Sequence, residues 1–401
     1  MPRDGYGREI DYLRLSLTDH CNLRCVYCMP ETGLRFLPAP DLLTAAELEQ
    51  VVRAAVAVGF RKFRLTGGEP TLRADLVEIV ARIASVPGIG DLSMTTNAIL
   101  LPGLAEELRS AGLRRVNVHL DSLDAERVAR VMRWGTLADI WAGIEAAEAT
   151  GLTPIKLNAV VVRGFNEDDV VPLAALTLDR PWHVRFIETM PFGTGDTQAV
   201  ARGGLVPSAQ SRAQIEAALG ALEPLPSADP SDEARNYRLA SGAGVIGFIS
   251  PVSEPYCGTC NRMRLTADGR FHLCLLNDDE MDVRATLRSG GSLAAVADIL
   301  LRADLVEIVA RIASVPGVGD LSMTTNAILL PGLAEELRSA GLRRVNIHLD
   351  SLDAERVARV MRWGTLASVF CIAATGNGIV DGAADLPGPG AVSLPGTFVV
   401  N

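Results

Sequence analysis

The hydrophobic pattern over residues 12–188 alternates between two periods. Short apolar runs predict strands, and each is followed by a stretch in which apolar residues recur every three or four positions, as in amphipathic helices. The first helical stretch has clear ends, because Thr44 precedes it, Glu47 follows three residues later and Gly59 comes after it. The predicted strands are Tyr12–Thr18, Lys62–Thr66, Asp91–Thr95, Arg115–Leu120, Pro154–Val162 and His183–Glu188.

Six strands that alternate with helices predict an α/β fold with a parallel sheet. Six such units form a partial (βα)6 TIM-like barrel. In parallel barrels the chemistry gathers at the carboxyl ends of the strands. The residues at or just beyond the predicted ends include Gly67, Gly68, Thr95, Asp121 and Met190. We therefore expect the active site at this end of the barrel.

A less regular region follows the sixth strand. Residues 223–235 are rich in Pro, Ser and Asp, which predicts a linker or loop. Strands are expected within residues 236–249, with a turn at Gly242 and Gly244, and Asp268-Gly269 predicts a hairpin turn. This pattern predicts a barrel domain over residues 1–222 and a smaller region over residues 223–300.

The C-terminal part contains a copy of an earlier segment. Residues 301–367 repeat residues 72–138 at an offset of 229 positions, and only two of the 67 positions differ. Near-identity of this kind is typical of a recent duplication or an assembly artefact and not of a solenoid. We expect a separate segment over 301–367, whose two copied strands could compete with the originals for places in the barrel. Residues 368–401 are rich in Ala, Gly and Pro and are expected to form a low-complexity tail.

Composition narrows the classes of function. The net charge of −10 over 401 residues argues against a general nucleic-acid binder, although a local basic patch can still meet an anion. Lysine occurs only at positions 62 and 156, so Lys156 is a candidate for a role that needs a compact ammonium group. The sequence shows no signal peptide and no apolar run of about 18 residues, so we expect a cytoplasmic protein without a membrane span.

The seven cysteines form two groups of three, with Cys371 alone. This grouping is typical of metal binding in a reducing compartment and not of a disulfide framework. The first group is Cys21, Cys25 and Cys28. It can hold three corners of an iron–sulfur cube and leave the fourth iron open, since such clusters usually have four cysteine ligands. A zinc site is the alternative, but it would need a fourth ligand nearby.

A glycine-rich turn comes directly after the apolar run Phe63–Leu65 and consists of Gly67, Gly68, Glu69 and Pro70. Together with the first cysteine group, this turn resembles the radical S-adenosylmethionine (SAM) superfamily. The resemblance implies that the three cysteines bind a 4Fe–4S cluster and that SAM chelates the open iron through its amino and carboxylate groups. It also implies that the glycine-rich turn receives the SAM amino group.

Cys257, Cys260 and Cys274 form the second group. From the residues alone, either a zinc site completed by His272 or a second cluster with an open iron for substrate fits them. The two groups, with Arg262-Met263-Arg264 behind the second, closely resemble the GTP 3′,8-cyclase family of molybdenum cofactor biosynthesis over about residues 5–300. That family uses SAM cleavage to convert GTP into 3′,8-cyclo-7,8-dihydro-GTP, the first step of the pathway.

The resemblance implies roles for individual residues and partners. The implied cofactors are SAM and two 4Fe–4S clusters, held by Cys21, Cys25, Cys28, Cys257, Cys260 and Cys274. The expected SAM contacts are Tyr27, Gly67, Gly68, Glu69, Met190 and His119, which stands where a serine is expected. The expected GTP contacts are Arg14, Arg64, Thr95, Lys156, Arg262, Met263 and Arg264. The implied partners are GTP, a reductant for the cluster, a second copy in a homodimer, and the downstream cyclic pyranopterin monophosphate synthase.

The C-terminal sequence differs from that of the family, so functions other than a fully active cyclase remain as alternatives. The family ends in a Gly-Gly tail that is needed for cyclisation, whereas this sequence ends with Phe398-Val399-Val400-Asn401. The expectation is therefore a GTP 3′,8-cyclase that can be impaired at the cyclisation step. The alternatives are another radical SAM enzyme with an auxiliary cluster, such as a peptide modifier, and a non-catalytic, rearranged cluster-binding protein.

Overall fold

The structure is a computed structural model. It describes residues 8–32, 34–190, 195–227, 229, 231–275, 280–301, 313–314, 321–325 and 337–347. The chain divides into two compact units, and the first contains residues 8–297. The described residues from 298 onward belong to the second unit.

A twelve-stranded open sheet runs through the first unit, and its centre is six neighbouring parallel strands. The predicted parallel sheet of a partial barrel is therefore confirmed. The strands lie in the sheet in the same order as in the chain. They are β1 (Tyr12–Ser16), β2 (Lys62–Thr66), β3 (Asp91–Thr96), β4 (Arg115–His119), β5 (Lys156–Val161) and β6 (His183–Glu188).

Three strands extend the sheet at each edge. Beyond β6 come β9 (Val245–Ile249), which is parallel to it, and then the antiparallel strands β8 (Arg235–Leu239) and β7 (Leu222–Leu225). At the other edge, β10 (Arg262–Leu265) runs parallel to β1. The antiparallel strands β11 (Arg270–His272) and β12 (Glu280–Asp282) follow it.

Helices connect the parallel strands, as the pattern predicts. The first helix begins after the N-cap Thr44, whose hydroxyl accepts from the backbone NH of Glu47 while the Glu47 carboxylate accepts from the NH of Thr44. This is the predicted capping box. The described helices are α1 (Ala45–Ala57), α2 (Leu76–Ala84), α3 (Ala105–Ser110), α4 (Ala125–Met132), α5 (Leu137–Ala149), α6 (Val170–Asp179), α7 (Gly195–Gly203), α8 (Ser208–Leu219), α9 (Arg284–Arg288) and α10 (Leu293–Leu301).

The two faces of the central strands carry different side chains. Successive residues of a strand point to opposite faces, and apolar residues such as Phe63, Leu65 and Phe186 are fully buried. The residues between them are polar and are also buried, which is unusual in the middle of a strand. These buried polar residues are Arg64, Ser93, Asn117 and Arg185. One face of the sheet is therefore core, and the other is a polar interior suited to a ligand.

The prediction of a loop over residues 223–235 is wrong at both ends of that range. β7 occupies its start and β8 begins at Arg235. The strand was missed because a short edge strand containing a proline has little strand signal in its sequence. The predicted turns at Gly242 and at Asp268-Gly269 are confirmed, since they join β8 to β9 and β10 to β11. The expected boundary after residue 222 falls inside β7, and the first unit continues to residue 297.

The second unit contains the described parts of the copied segment. Its strands β13 (Ser322–Thr325) and β14 (Arg344–Ile347) form a parallel two-stranded sheet. Their register reproduces that of the originals, since Ser322 lies opposite Arg344 as Ser93 lies opposite Arg115. Among the described residues, the copied strands thus pair with each other and not with the large sheet. The expected tail over 368–401 lies outside the described residues.

None of the helices in the described ranges combines the length and the apolar character that crossing a bilayer requires.

Candidate active site

The first cysteine loop follows β1 and packs against the glycine turn that follows β2. The backbone NH of Gly68 donates to the carbonyl oxygen of Thr18 (2.6 Å), and the NH of Glu69 donates to that of His20 (2.7 Å). A Cβ atom on Gly68 would clash with the His20 carbonyl oxygen. Glycine is therefore needed here for the close approach of two backbones.

The Glu69 side chain turns inward from this turn. One carboxylate oxygen accepts from the NH and the hydroxyl of Thr71 and from the hydroxyl of Thr96, and the other accepts from the NH of Asn97 (2.7 Å). Burial raises the pKa of Glu69 despite these donors. The carboxylate thus ties the turn to the end of β3. Its contact with SAM stays a prediction.

The cysteines of the first group differ in exposure. Cys25 is buried, Cys21 is half-buried and Cys28 is exposed. Burial raises the pKa of the Cys21 thiol, so a metal is needed to hold it as a thiolate. Among the described residues, no group of three potential ligands is arranged to hold a metal ion. Three thiols are the kind of donor set that an iron–sulfur cube takes, with each thiolate on a separate iron.

His119 ends β4 and lies against the cysteine loop. Its Nε2 atom is 2.9 Å from the Tyr27 hydroxyl oxygen, 3.0 Å from Asp121 Oδ2 and 3.8 Å from the Cys25 sulfur. The Tyr27 hydroxyl donates to the same Asp121 oxygen (2.7 Å). Burial by itself would lower the pKa of His119, but the Asp121 carboxylate outweighs it and holds that pKa well above its usual value. The structure thus brings Tyr27 and His119 together beside Cys25.

Met190 lies two residues beyond the end of β6 and is half-buried. The last residue of the strand, Glu188, is buried and accepts from the backbone NH groups of Ser208 (2.8 Å) and Ser253 (2.9 Å). This carboxylate connects the end of β6 to α8 and to the loop that leads from β9 to the second cysteine group.

Four of the predicted GTP contacts, all of them arginines, form a cluster of cations on the polar face of the sheet. Arg14 lies opposite Arg64 on one side and Arg264 on the other, and Arg262 lies two register positions away, opposite Tyr12. Arg64 and Arg262 are buried. Four of the predicted side chains are therefore contributed by three adjacent strands, β10, β1 and β2.

Met263 is the exception among these predicted contacts. It pairs with the fully buried Leu13 and is itself buried. Strand alternation places its side chain on the face opposite to Arg262 and Arg264. Only the backbone of Met263 can face a ligand of the cation cluster.

Thr95 on β3 and Lys156 on β5 lie on the two strands that flank β4. Both residues are register partners of Asn117, whose amide NH donates to the Thr95 hydroxyl (3.5 Å). Burial lowers the pKa of Lys156 to about 7, helped by the charges of Arg185 and Arg115. Repulsion among buried cations indicates a site that is completed by an anion.

Sequence reasoning missed two charged residues that lie close to this cluster. Arg185 is buried on β6 and donates to the Asn117 amide oxygen (3.2 Å). Its position between Val184 and Phe186, within an apolar strand, was an available signal. Glu233 lies in the segment predicted as a loop and had no such signal. Its carboxylate accepts from Arg14 (3.0 Å) and from Arg262.

The second cysteine group surrounds the start of β10. Cys257 begins a short 3-10 turn (Cys257–Thr259), Cys260 lies just before β10 and Cys274 lies just after β11. Burial tends to raise the pKa of Cys260, but the positive charge of Arg262 outweighs this effect and lowers it. His272, the alternative zinc ligand, has its Nε2 atom 3.1 Å from Glu280.

Two family models match the chain. The model of the radical SAM superfamily matches residues 15–177 and again residues 293–373, which include the whole copied segment. The model described as Molybdenum Cofactor Synthesis C matches residues 182–305, the part that carries the second cysteine group.

Curated relatives match over most of their own length. A GTP 3′,8-cyclase of Pelotomaculum thermopropionicum is 50% identical over 301 residues, which are 75% of this chain and 92% of the relative. The chain belongs to the GTP 3′,8-cyclase family of the radical SAM superfamily. Another family member, from Heliobacterium modesticaldum, is 46% identical over 75% of this chain and 91% of its own. Membership of the radical SAM superfamily implies SAM and a 4Fe–4S cluster as cofactors.

A solved structure supports the fold. SuiB of Streptococcus suis, solved with bound S-adenosylmethionine, matches with a TM-score of 0.50 at 13% identity and covers 73% of this chain and 68% of its own. At this identity the likeness shows the radical SAM fold alone.

Proposed function

We propose that this chain catalyses the conversion of GTP into 3′,8-cyclo-7,8-dihydro-GTP, the first step of molybdenum cofactor biosynthesis. The observation that carries the proposal is the position of the cation cluster between the two cysteine groups. Arg14 lies on β1, which leads into the first group, and Arg262 lies on β10, which begins at the second. Because β1 and β10 are neighbours, an anionic substrate bound by both arginines would lie between the two groups.

The first cysteine group would hold the 4Fe–4S cluster through Cys21, Cys25 and Cys28. When bound, the cluster and SAM supply the radical chemistry that starts cyclisation. Around them, the Gly68 contact fixes the turn against the cysteine loop, and Asp121 fixes the hydroxyl of Tyr27. The residues proposed to contact SAM are Tyr27, Gly67, Gly68, Glu69, His119 and Met190.

The cation cluster would bind the triphosphate of GTP. Guanidinium groups bind phosphate oxygens through paired, charge-assisted hydrogen bonds, and buried cations bind anions strongly because water does not screen them. The residues proposed to contact GTP are Arg14, Arg64, Thr95, Lys156, Arg262, Arg264 and the backbone of Met263. Their role is to hold the nucleotide in one position and to exclude water from it.

The second cysteine group would hold a second 4Fe–4S cluster at the base end of the nucleotide. Its proposed ligands are Cys257, Cys260 and Cys274, and the lowered pKa of Cys260 favours the thiolate that a cluster needs. We further propose a reductant, a second copy of the chain and the cyclic pyranopterin monophosphate synthase as partners.

The test is an anaerobic assay of the full chain, reconstituted with iron and sulfide and supplied with SAM, a reductant and GTP. Both 5′-deoxyadenosine and cyclised GTP are quantified. Cys25→Ser is expected to abolish both products, and Cys274→Ser is expected to spare 5′-deoxyadenosine while cyclised GTP is lost. Cys371→Ser, outside both groups, is the matched control and retains both.

The possible outcomes of this assay distinguish between the candidate functions. Both products from the unmodified chain support the cyclase. Formation of 5′-deoxyadenosine without cyclised GTP would indicate a working SAM site with a cyclisation defect. If neither product forms while iron is bound, the protein is a cluster-binding protein without this activity.

A further inference from the structure

The cation cluster is covered by acidic residues of the segment between β7 and β8. Glu233 has only 10% of its side chain exposed and lies among Arg14, Arg64 and Arg262. Arg14 Nη2 donates to Glu233 Oε1 at 3.0 Å, Arg262 donates to Oε2, and Arg64 Nη1 is 3.8 Å from Oε1. The two carboxylate oxygens thus occupy the guanidinium groups that are proposed to bind phosphate.

A second carboxylate of this segment continues the pattern. Lys62 Nζ donates to Asp229 Oδ2 at 2.5 Å, at the more exposed end of the cluster. Arg262 also donates to the backbone carbonyl oxygen of Ser231 (3.3 Å). The segment therefore follows the line of cations, as an extended polyanion would.

The segment does not use all the donors of the cluster. The Nε atoms of Arg14, Arg64, Arg185 and Arg262 are buried and lack a hydrogen-bond partner within the described ranges. Buried donors of this kind are costly unless they are satisfied. The cluster is thus built for an anion with more acceptor atoms than one carboxylate has, and a triphosphate meets this requirement.

The Glu233 side chain is ionised in the unliganded protein. Burial would raise its pKa, but Arg14, Arg262, Arg64 and Arg185 hold that pKa well below its usual value. The carboxylate therefore offsets the mutual repulsion of the buried arginines when no substrate is present.

We propose that Glu233 is an internal counter-ion whose place at Arg14, Arg64 and Arg262 is taken by the phosphate groups of the substrate. The inference rests on the proposed function, because it assigns the cluster to a polyphosphate. Glu233 is then a positioning residue. It keeps the arginines ordered before binding, and its own charge opposes the incoming anion.

Two opposite consequences follow from replacing Glu233 with an uncharged residue of the same shape. The unliganded protein loses the charge that balances its arginines, so its melting temperature falls. The anion no longer competes with a carboxylate, so its binding becomes tighter. A carboxylate with a merely structural role would lower the melting temperature and weaken or leave unchanged the binding of the anion.

The experiment measures the binding of inorganic tripolyphosphate to the full chain by calorimetry. In Glu233→Gln we expect the dissociation constant to fall about tenfold, and the KM for GTP to fall with kcat little changed. Glu78→Gln is the control, because Glu78 also pairs with an arginine (Arg82, 2.7 Å) but lies on the exposed face of α2. An equal or larger dissociation constant in Glu233→Gln would overturn the inference.

A second variant covers the case in which Glu233→Gln does not fold. Asp229 is 42% exposed, and Asp229→Asn is expected to tighten tripolyphosphate binding by a smaller factor. Failure to tighten in this variant would then count against the inference. If the unmodified chain forms cyclised GTP but the variants bind no more tightly, the inference alone fails. If the unmodified chain binds neither tripolyphosphate nor GTP, the proposed function fails with it.

Discussion

Gly68 shows how much the candidate site depends on backbone contacts at single residues. Its NH bonds to Thr18 and its α-carbon faces the His20 carbonyl oxygen, without room for a methyl group. We expect Gly68→Ala to lower the free energy of unfolding by about 1–3 kcal/mol, through overpacking against rigid backbone. Urea unfolding measures this change. Gly103→Ala is the control, because a Cβ there meets nothing within 4 Å, and equal effects of the two variants would refute the argument.

Lys156 gives a prediction about pH. Its pKa is about 7, so its ammonium charge is present at pH 6 and is lost as the pH rises through 7. The ratio of tripolyphosphate affinities between the unmodified chain and Lys156→Met is therefore expected to fall by about tenfold between pH 6 and pH 9. The ratio cancels the titration of the ligand itself. Calorimetry at several pH values measures it.

Lys62 provides the matched control for this experiment. It is the second lysine of the chain, and its ion pairs with Asp229 and Asp11 raise its pKa although burial opposes them. Lys62→Met should therefore give a ratio that is constant over the same pH range. A constant ratio for Lys156→Met as well would contradict the lowered pKa of Lys156.

At the scale of elements, the end of β6 organises the approach to the second cysteine group. Glu188 accepts from the NH groups of Ser208, Val252 and Ser253. Glu188→Gln replaces one acceptor oxygen with a donor that faces these NH groups, and we expect a loss of about 2 kcal/mol in the free energy of unfolding. Glu254→Gln is the control in the same loop, because its pair with Arg235 is exposed. Comparable losses in the two variants would argue against this role of Glu188.

The elements themselves were predictable to different degrees. The six central strands and the capping box of α1 came from local periodicity and from residue types a few positions apart. The pairing of β10 with β1 could not be predicted from such local signals, because it joins residues about 250 positions apart in the chain. A parallel pairing of this kind depends on which edges the packed barrel leaves free.

At the scale of the whole molecule, the copied segment forms its own small sheet. A sheet of two strands is marginally stable by itself and presents unpaired edges. In the part of the chain that the structure describes, β13 and β14 pair only with each other. Since residues 8–297 form a compact unit, we expect deletion of residues 301–401 to raise the soluble yield.

The yield of the truncated chain is compared with that of a shorter deletion, of residues 368–401, which retains both copied strands. The shorter deletion should leave the yield unchanged. An unchanged or lower yield for the longer deletion would show that the copied segment does not harm solubility.

The sequence by itself determined the alternation of strands and helices, the two cysteine groups and the family. These features lie in short-range periods and spacings, which are the same in the unfolded chain. Only the tertiary structure decided that Glu233 lies among the arginines of the cation cluster and that Met263 faces the core. The neighbours of a buried charge come from distant strands, and the face a side chain takes depends on the register of its strand. Both are settled only when the sheet is assembled.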